Sequence, residues 1–152
     1  KMLAILSRAS GCQGMGLGQA HDLYLTDKLA SQDELLNMYR LKTGGLIQAS
    51  VELPAQLKAI SSIEYKALCA FGTYLGLAFQ IQDDILDCEA DGSLLGKPTQ
   101  IDIRNQKYTL AQRLGLTPAK ELVANYAEKA IESLSSVRFI FRDKVVFTSI
   151  SS

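Results

Sequence analysis

At 152 residues, 47% hydrophobic and 21% charged, the chain suits one domain with a sizeable core, or part of a larger one, and is not a disordered segment. Sixteen Lys and Arg offset sixteen Asp and Glu, so no global field draws the chain to nucleic acid or an acidic membrane, and any charge-based function is local. No apolar run reaches the ~20 residues of a membrane span.

The opening "KMLAILSRASGCQG" is apolar only from Met2 to Leu6, a poor signal peptide, and begins at Lys1 rather than Met, which points to a non-native N-terminus. Residues 11–20, "GCQGMGLGQA", are glycine-rich. Gly14-x-Gly16-x-Gly18 is not read as a dinucleotide loop, because no strand precedes it and no βαβ pattern surrounds it. Tight helix–helix contact through small residues is the better reading. Ser31-x-x-Glu34 is a capping box opening "DELLNMYRLKTGGLIQASVEL", in which Leu35, Leu36, Tyr39, Leu46 and Ile47 recur at helical spacing and Pro54 marks the stop. Within it, Gly44 and Gly45 cost helix stability and so suggest close approach of a ligand or another helix.

Ser61-x-x-Glu64 is a second capping box, opening a helix that runs to about Cys88. Residues 89–109, with two Gly, a Pro and no periodicity, read as a long loop of the kind that is commonly functional. Thr117-Pro118 reads as an N-cap and first-turn proline before a helix carrying Leu122, Val123, Tyr126, Ala130, Ile131 and Leu134 on one face. The tail "SVRFIFRDKVVFTSISS" reads equally as strand or helix end. Strand patterns are otherwise almost absent, and the expected fold is all-α. The three cysteines, Cys12, Cys69 and Cys88, lack a CxxC spacing and read as reduced thiols in a cytosol-like compartment.

Wound at about 100° per residue, positions 67–88 gather Cys69, Gly72, Thr73, Gly76, Gln80, Asp83 and Asp87 into one stripe, with Asp84 at its edge. Leu68, Leu75, Phe79 and Leu86 form one flank, and the back is apolar. A helix apolar nearly all round is a buried one. Its polar stripe, small at one end and anionic at the other, describes the wall of an internal cavity. Asp83 and Asp87, at i and i+4, aim at one point, and carboxylates held together require a cation or protonation. Hard carboxylate oxygens suit Mg²⁺, which binds through one or two carboxylates together with substrate phosphates. Lys42, Lys97 and Lys107 are the candidate partners for such phosphates. The bland alternative is a solvated acidic helix end beside ordinary surface lysines.

The order Gly18-Gln19-x-x-Asp22, Lys42-Thr43-Gly44, Phe79-Gln80-x-x-Asp83-Asp84-x-x-Asp87, Gly96-Lys97 and Lys107 resembles the C-terminal half of the trans-isoprenyl diphosphate synthases (polyprenyl synthetases). "GLGQAHDLYL" and "AFQIQDDILD" place the resemblance nearest the bacterial farnesyl diphosphate synthase type. It covers residues 1–135, leaving 136–152 as a tail. It implies antiparallel helices around a deep central cavity, present here as a partial fold, a homodimer, a cytoplasmic location and Mg²⁺ as cofactor. The implied reaction is a prenyl transfer: an allylic diphosphate, dimethylallyl or geranyl, loses pyrophosphate, and isopentenyl diphosphate attacks the resulting cation. On these positions, Asp83, Asp84 and Asp87 are the implied metal ligands. Lys42, Lys97 and Lys107 hold the allylic diphosphate. Thr43, Gln80 and the Lys42 carbonyl face the developing cation, and Phe79 lines the isopentenyl side. His21 reads as packing.

The family's first aspartate-rich motif is missing, since no second DDxxD occurs in the chain, and Gln100 stands where a glycine is usual. "FIFRDK" at 139–144 resembles the family's ending but follows Ser136 too closely, and "VVFTSISS" matches nothing in the family. The expectation is a truncated synthase with little activity by itself. The alternatives are a geranylgeranyl diphosphate synthase and, from another class, a catalytically inert helical subunit of the same fold.

Overall fold

The computed structural model describes residues 1–26, 28–57, 60–90 and 108–137. All regular elements among the described residues are helical. They are α1 (Met2–Ser10), α2 (Met15–Leu25), α3 (Gln32–Tyr39), a π-helical turn (Arg40–Gly44), α4 (Gly45–Ala55), α5 (Ser62–Ala90), α6 (Leu110–Leu114), α7 (Leu116–Ser133) and a closing 3₁₀ turn (Leu134–Ser136). Both anticipated capping boxes form. The Ser31 hydroxyl accepts from the Glu34 amide at 3.2 Å while Glu34 accepts from the Ser31 amide at 2.7 Å. The Ser61 and Glu64 pair repeats this at 3.2 and 2.8 Å. Each satisfies two otherwise orphaned donors of a helix start.

Helix α5 is the axis of the molecule, with α7, α6 and α3 against one side and α4 with the π turn against another. Leu35, Ile81, Ile85 and Leu110 are almost fully buried where α3, α5 and α6 meet, each worth about 1.5–3 kcal/mol of apolar burial. Leu122, Val123 and Tyr126 of α7 pack onto this core, and the Tyr126 ring stacks on Tyr74 with centroids 6.2 Å apart. A second, smaller cluster of Ile5, Ala9 and Ala49 joins α1 to α4.

Several boundaries differ from the sequence reading. Pro54 lies inside the last turn of α4, which runs one residue further to Ala55. Helix α7 begins at Leu116, so Thr117 and Pro118 occupy its first turn and do not cap it. The boundary is set by Gly115, whose φ of +86° glycine adopts without steric cost. Thr109, the last residue of the stretch read as loop, and Gln112 form a third capping box. Ile131 is 72% exposed and is no part of the buried face of α7. The flank Leu75, Phe79 and Leu86 of α5 is also exposed, because no described element lies over it.

Candidate functional site

The π turn directs two consecutive side chains to two different helices. Inserting one residue into a helix shifts the facing of everything around it, and such turns are frequent at functional sites. Here Lys42 Nζ pairs with Asp22 Oδ2 on α2 at 2.7 Å, and the Thr43 hydroxyl donates to Gln80 Oε1 on α5 at 2.6 Å. Asp22 is buried, whereas the Lys42 side chain keeps about a third of its surface open to solvent (30%). Gly18, one turn before Asp22, is what allows α2 so close. A Cβ there would stand 2.2 Å from the Lys42 backbone nitrogen. The "Gly18-Gln19-x-x-Asp22" pattern is therefore a packing glycine and an ion-pair partner on one helical face. Gln19 is exposed, and His21 is half-buried.

The glycines of α5 perform the same task against α4. A Cβ on Gly76 would lie 2.6 Å from Gly44 Cα, and one on Gly72 would lie 2.7 Å from Gln48 Cα. The small end of the polar stripe is thus a helix–helix contact and not a cavity wall, which corrects the expectation from the sequence. Gly44 is accounted for in the same way, by the approach of Gly76 on α5, whereas Gly45 faces the Ala9 carbonyl of α1 at an ordinary 3.6 Å. Thr73, next on this stripe, donates to Gln48 at 3.2 Å and to the Cys69 carbonyl at 3.0 Å. Beyond the contact with α4 the stripe continues through Gln80 to Asp83 and Asp87, both exposed.

Asp84 departs from its two neighbours. It is buried, and its Oδ2 accepts from the Tyr39 hydroxyl on α3 and from the Leu110 amide at 3.3 Å. The Leu110 amide is shared with the Tyr39 oxygen at 3.1 Å. Burial raises the Asp84 carboxyl to about 6, the two hydrogen bonds oppose the shift, and the charges of Asp83 and Asp87 add to it. Burial, then the Asp84 charge, pushes the Tyr39 phenol well above its usual range. Among the described residues no three His, Cys, Asp or Glu side chains converge as a metal site. Of the three carboxylates expected as metal ligands, Asp84 is turned into the core, whereas Asp83 and Asp87 are exposed. Asp83 and Asp87 share a face one turn apart and supply two hard oxygen donors open to solvent, which fits a Mg²⁺ that takes its remaining ligands from water and phosphate.

Phe79 sits on the exposed flank beside Gln80, 58% accessible. Lys97 and Lys107, with Gln100 and the 139–144 segment, lie outside the described residues. The site that is assembled is thus Lys42, Thr43, Gln80, Asp83 and Asp87. Asp22 and Tyr39 join it as supports to which the sequence reading gave no role. Asp22 was signalled by its spacing from Gly18. Tyr39 carried no signal beyond a core position. A separate cleft of about 640 Å³, lined among others by Arg8, Glu52 and Tyr65, opens at the N-terminal end of α5, several turns from the aspartates.

Thr43 thus faces Gln80, and Asp83 and Asp87 stand on the following turns of the same helix. The chain matches the polyprenyl synthetase family over residues 1–143 and belongs to it. It is similar to the farnesyl diphosphate synthases of Geobacillus stearothermophilus (38% identical over 130 residues, 86% of this chain and 44% of that one) and Escherichia coli K12 (38% over 139 residues, 90% and 46%). Among solved structures it resembles the geranyltransferase of Helicobacter pylori complexed with magnesium and isoprenyl diphosphate, at TM-score 0.71 and 34% identity over 88% of this chain and 44% of that one. The FPP/GFPP synthase of Zymomonas mobilis gives TM-score 0.74 at 29% identity, over 88% and 44%. The fold is accordingly that of the isoprenyl synthases, and the chain spans about half the length of the relatives it matches. No helix among the described residues is long and apolar enough to cross a membrane.

Proposed function

We propose that this chain carries the allylic-diphosphate half of a prenyltransferase, which joins dimethylallyl or geranyl diphosphate to isopentenyl diphosphate, gives farnesyl diphosphate and releases pyrophosphate. The observation that carries this reading is the Thr43–Gln80 contact at 2.6 Å, set beside Lys42 and one turn before Asp83. Asp83 and Asp87 would hold Mg²⁺, which when bound offsets the charge of the departing diphosphate. Lys42, paired with Asp22 yet partly open, would offer an ammonium donor to a phosphate oxygen. The oxygens of Thr43 and Gln80 are oriented dipoles whose negative ends stabilise positive charge as it develops on the allylic carbon. Because both are already hydrogen-bonded, little reorganisation opposes that stabilisation.

In this reading Asp84 faces the core and supports the ligands without being one. Phe79, exposed on the adjoining flank, is the residue assigned to the isopentenyl side. The complete enzyme is read as a cytoplasmic homodimer. The first aspartate-rich motif does not occur in this sequence, so the chain by itself is expected to bind a Mg²⁺–diphosphate but to turn over little or no substrate. A second reading, a geranylgeranyl diphosphate synthase, draws support from the chloroplastic geranylgeranyl pyrophosphate synthase of Capsicum annuum, 34% identical over 133 residues. Product chromatography with the full-length protein separates the two.

Calorimetric titration of the chain with methylene bisphosphonate, with Mg²⁺ and with EDTA, tests the binding assignment. Saturable binding that needs Mg²⁺ and is lost in Asp83→Ala supports it. Binding indifferent to Mg²⁺, or none, leaves the inert-subunit reading standing.

A further inference from the structure

Asp84 presents an energetic problem. A buried carboxylate needs donors, and an apolar residue in its place is commonly as stable or more so. Its partners come from two other elements: the Tyr39 hydroxyl from the last residue of α3, and the Leu110 amide from the start of α6. The other buried contacts of α5 on this side are mainly apolar, through Leu77, Ile81 and Ile85; the polar ones near its end are a 3.8 Å contact of Cys88 Sγ with Thr109 Oγ1 and an exposed Glu89–Lys120 pair. Apolar packing is non-directional and tolerates small rotations of a helix, whereas a hydrogen-bonded carboxylate does not. Asp83 immediately precedes Asp84, and Asp87 follows it by three residues, so the rotation that Asp84 fixes also sets where both exposed carboxylates point.

From this geometry we infer that Tyr39 is a positioning residue for the metal–diphosphate site: by holding Asp84 inward, together with the Leu110 amide, it fixes the rotation of α5 that aims Asp83 and Asp87 at a common cation. The inference rests on the diphosphate reading above. The glycine contacts of Gly72 and Gly76 set the distance of α5 from α4, and the Tyr39–Asp84–Leu110 node adds the angle. Tyr39 thereby acts on the site through Asp84, at the edge of the acidic stripe, and not as a ligand itself.

The test is Mg²⁺-dependent binding of methylene bisphosphonate to the 152-residue chain in four forms: unsubstituted, Tyr39→Phe, Asp84→Asn and Ile81→Val. Tyr39→Phe deletes only the hydroxyl. Its affinity is expected to fall about tenfold, the loss of one hydrogen bond to a charged group. Asp84→Asn keeps an oxygen that accepts from both Tyr39 and Leu110, so it should stay within about threefold of the unsubstituted chain. Ile81→Val, a core truncation on the same helix, controls for a general loss of stability, which thermal melts of all four forms record. Bisphosphonate binding by Tyr39→Phe equal to that of the unsubstituted chain overturns the positioning role and leaves the diphosphate reading intact. So does a loss in Tyr39→Phe no larger than in Ile81→Val at matched melting temperature. A collapse in Asp84→Asn overturns it too, by making Asp84 a charge-dependent ligand. No binding by the unsubstituted chain overturns both readings together.

Discussion

The Thr43 hydroxyl and the Gln80 side-chain oxygen meet at 2.6 Å across the junction of the π turn and α5, joining residues 37 positions apart. The pair stands half-buried at the point where the glycine contact ends and the acidic stripe begins. It therefore closes the packed part of the helix pair and opens the functional part.

This contact is expected to show as a coupling energy. Thr43→Val and Gln80→Leu each remove one partner, and the double variant removes both. A neutral, partly buried hydrogen bond contributes about 0.5–1.5 kcal/mol net, so the double variant should be less destabilised than the sum of the singles by roughly that amount. Urea unfolding of the four proteins measures it, and strict additivity would show that the two side chains do not depend on each other.

Gly76→Ala sets two effects against each other. Alanine in a helix is favoured over glycine by about 1 kcal/mol. The new Cβ, however, would stand 2.6 Å from Gly44 Cα, a backbone atom that cannot swing aside. Overpacking of this kind costs about 1–3 kcal/mol, so net destabilisation is expected, accompanied by weaker Mg²⁺–bisphosphonate binding as α4 and α5 separate. A stabilised Gly76→Ala protein would contradict the packing.

Lys42→Gln should weaken Mg²⁺–bisphosphonate binding about tenfold or more, the scale of one charge-assisted hydrogen bond. It also takes a partner from the buried Asp22 carboxylate. Because the Lys42 side chain is 30% exposed, the stability loss belongs below the 3–5 kcal/mol of a fully buried pair, at roughly 1–2 kcal/mol. Calorimetry and denaturant melts on the same sample separate the two losses, and unchanged binding would remove Lys42 from the site.

The carboxyl of Asp84, pushed up from 3.8 to about 6, is expected to contribute stability to the metal-free chain as the solution is acidified, against the opposite contribution of the lowered Glu34 carboxyl. A carboxyl with a raised folded value takes up a proton in the native state first. Its favourable contribution is complete below 3.8 and is lost as pH rises through about 6. Between pH 7 and pH 5 the gain is on the order of 1 kcal/mol. Urea melts in EDTA at the two values measure it, and in Asp84→Asn this part of the dependence should vanish.

The capping boxes of α3 and α5 and the helical class were legible because they rest on local spacing, which a sequence displays directly. That Thr43 and Gln80 lie near one another was implied by the family resemblance, which gave both the same role. The placement of Asp84 was not. Asp83 and Asp84 differ by about 100° on the helix, and which of two neighbouring polar residues turns inward depends on what a distant segment offers, here the hydroxyl of Tyr39. The Asp22–Lys42 pair was half legible: Gly18 marks close approach, but the residue approached lies 24 positions on and carries no local sign of it. The π turn was invisible, since "RLKTG" satisfies α-helical spacing as well as it does a wider turn. The exposure of Phe79 and Leu86 was also beyond reach, because helical periodicity describes a face and not what covers it.

The widened turn at Arg40–Gly44 has a consequence for how this stretch can vary. Removing a single residue from it would let α3 and α4 run together as one regular helix, and everything after the deletion would swing by about 100°. Gly44 would leave Gly76, and Thr43 would leave Gln80, without any change in the chemical character of either. The segment is thus constrained in its count of residues as strictly as in their identity: substitutions along it are graded in effect, whereas a one-residue deletion is all or nothing.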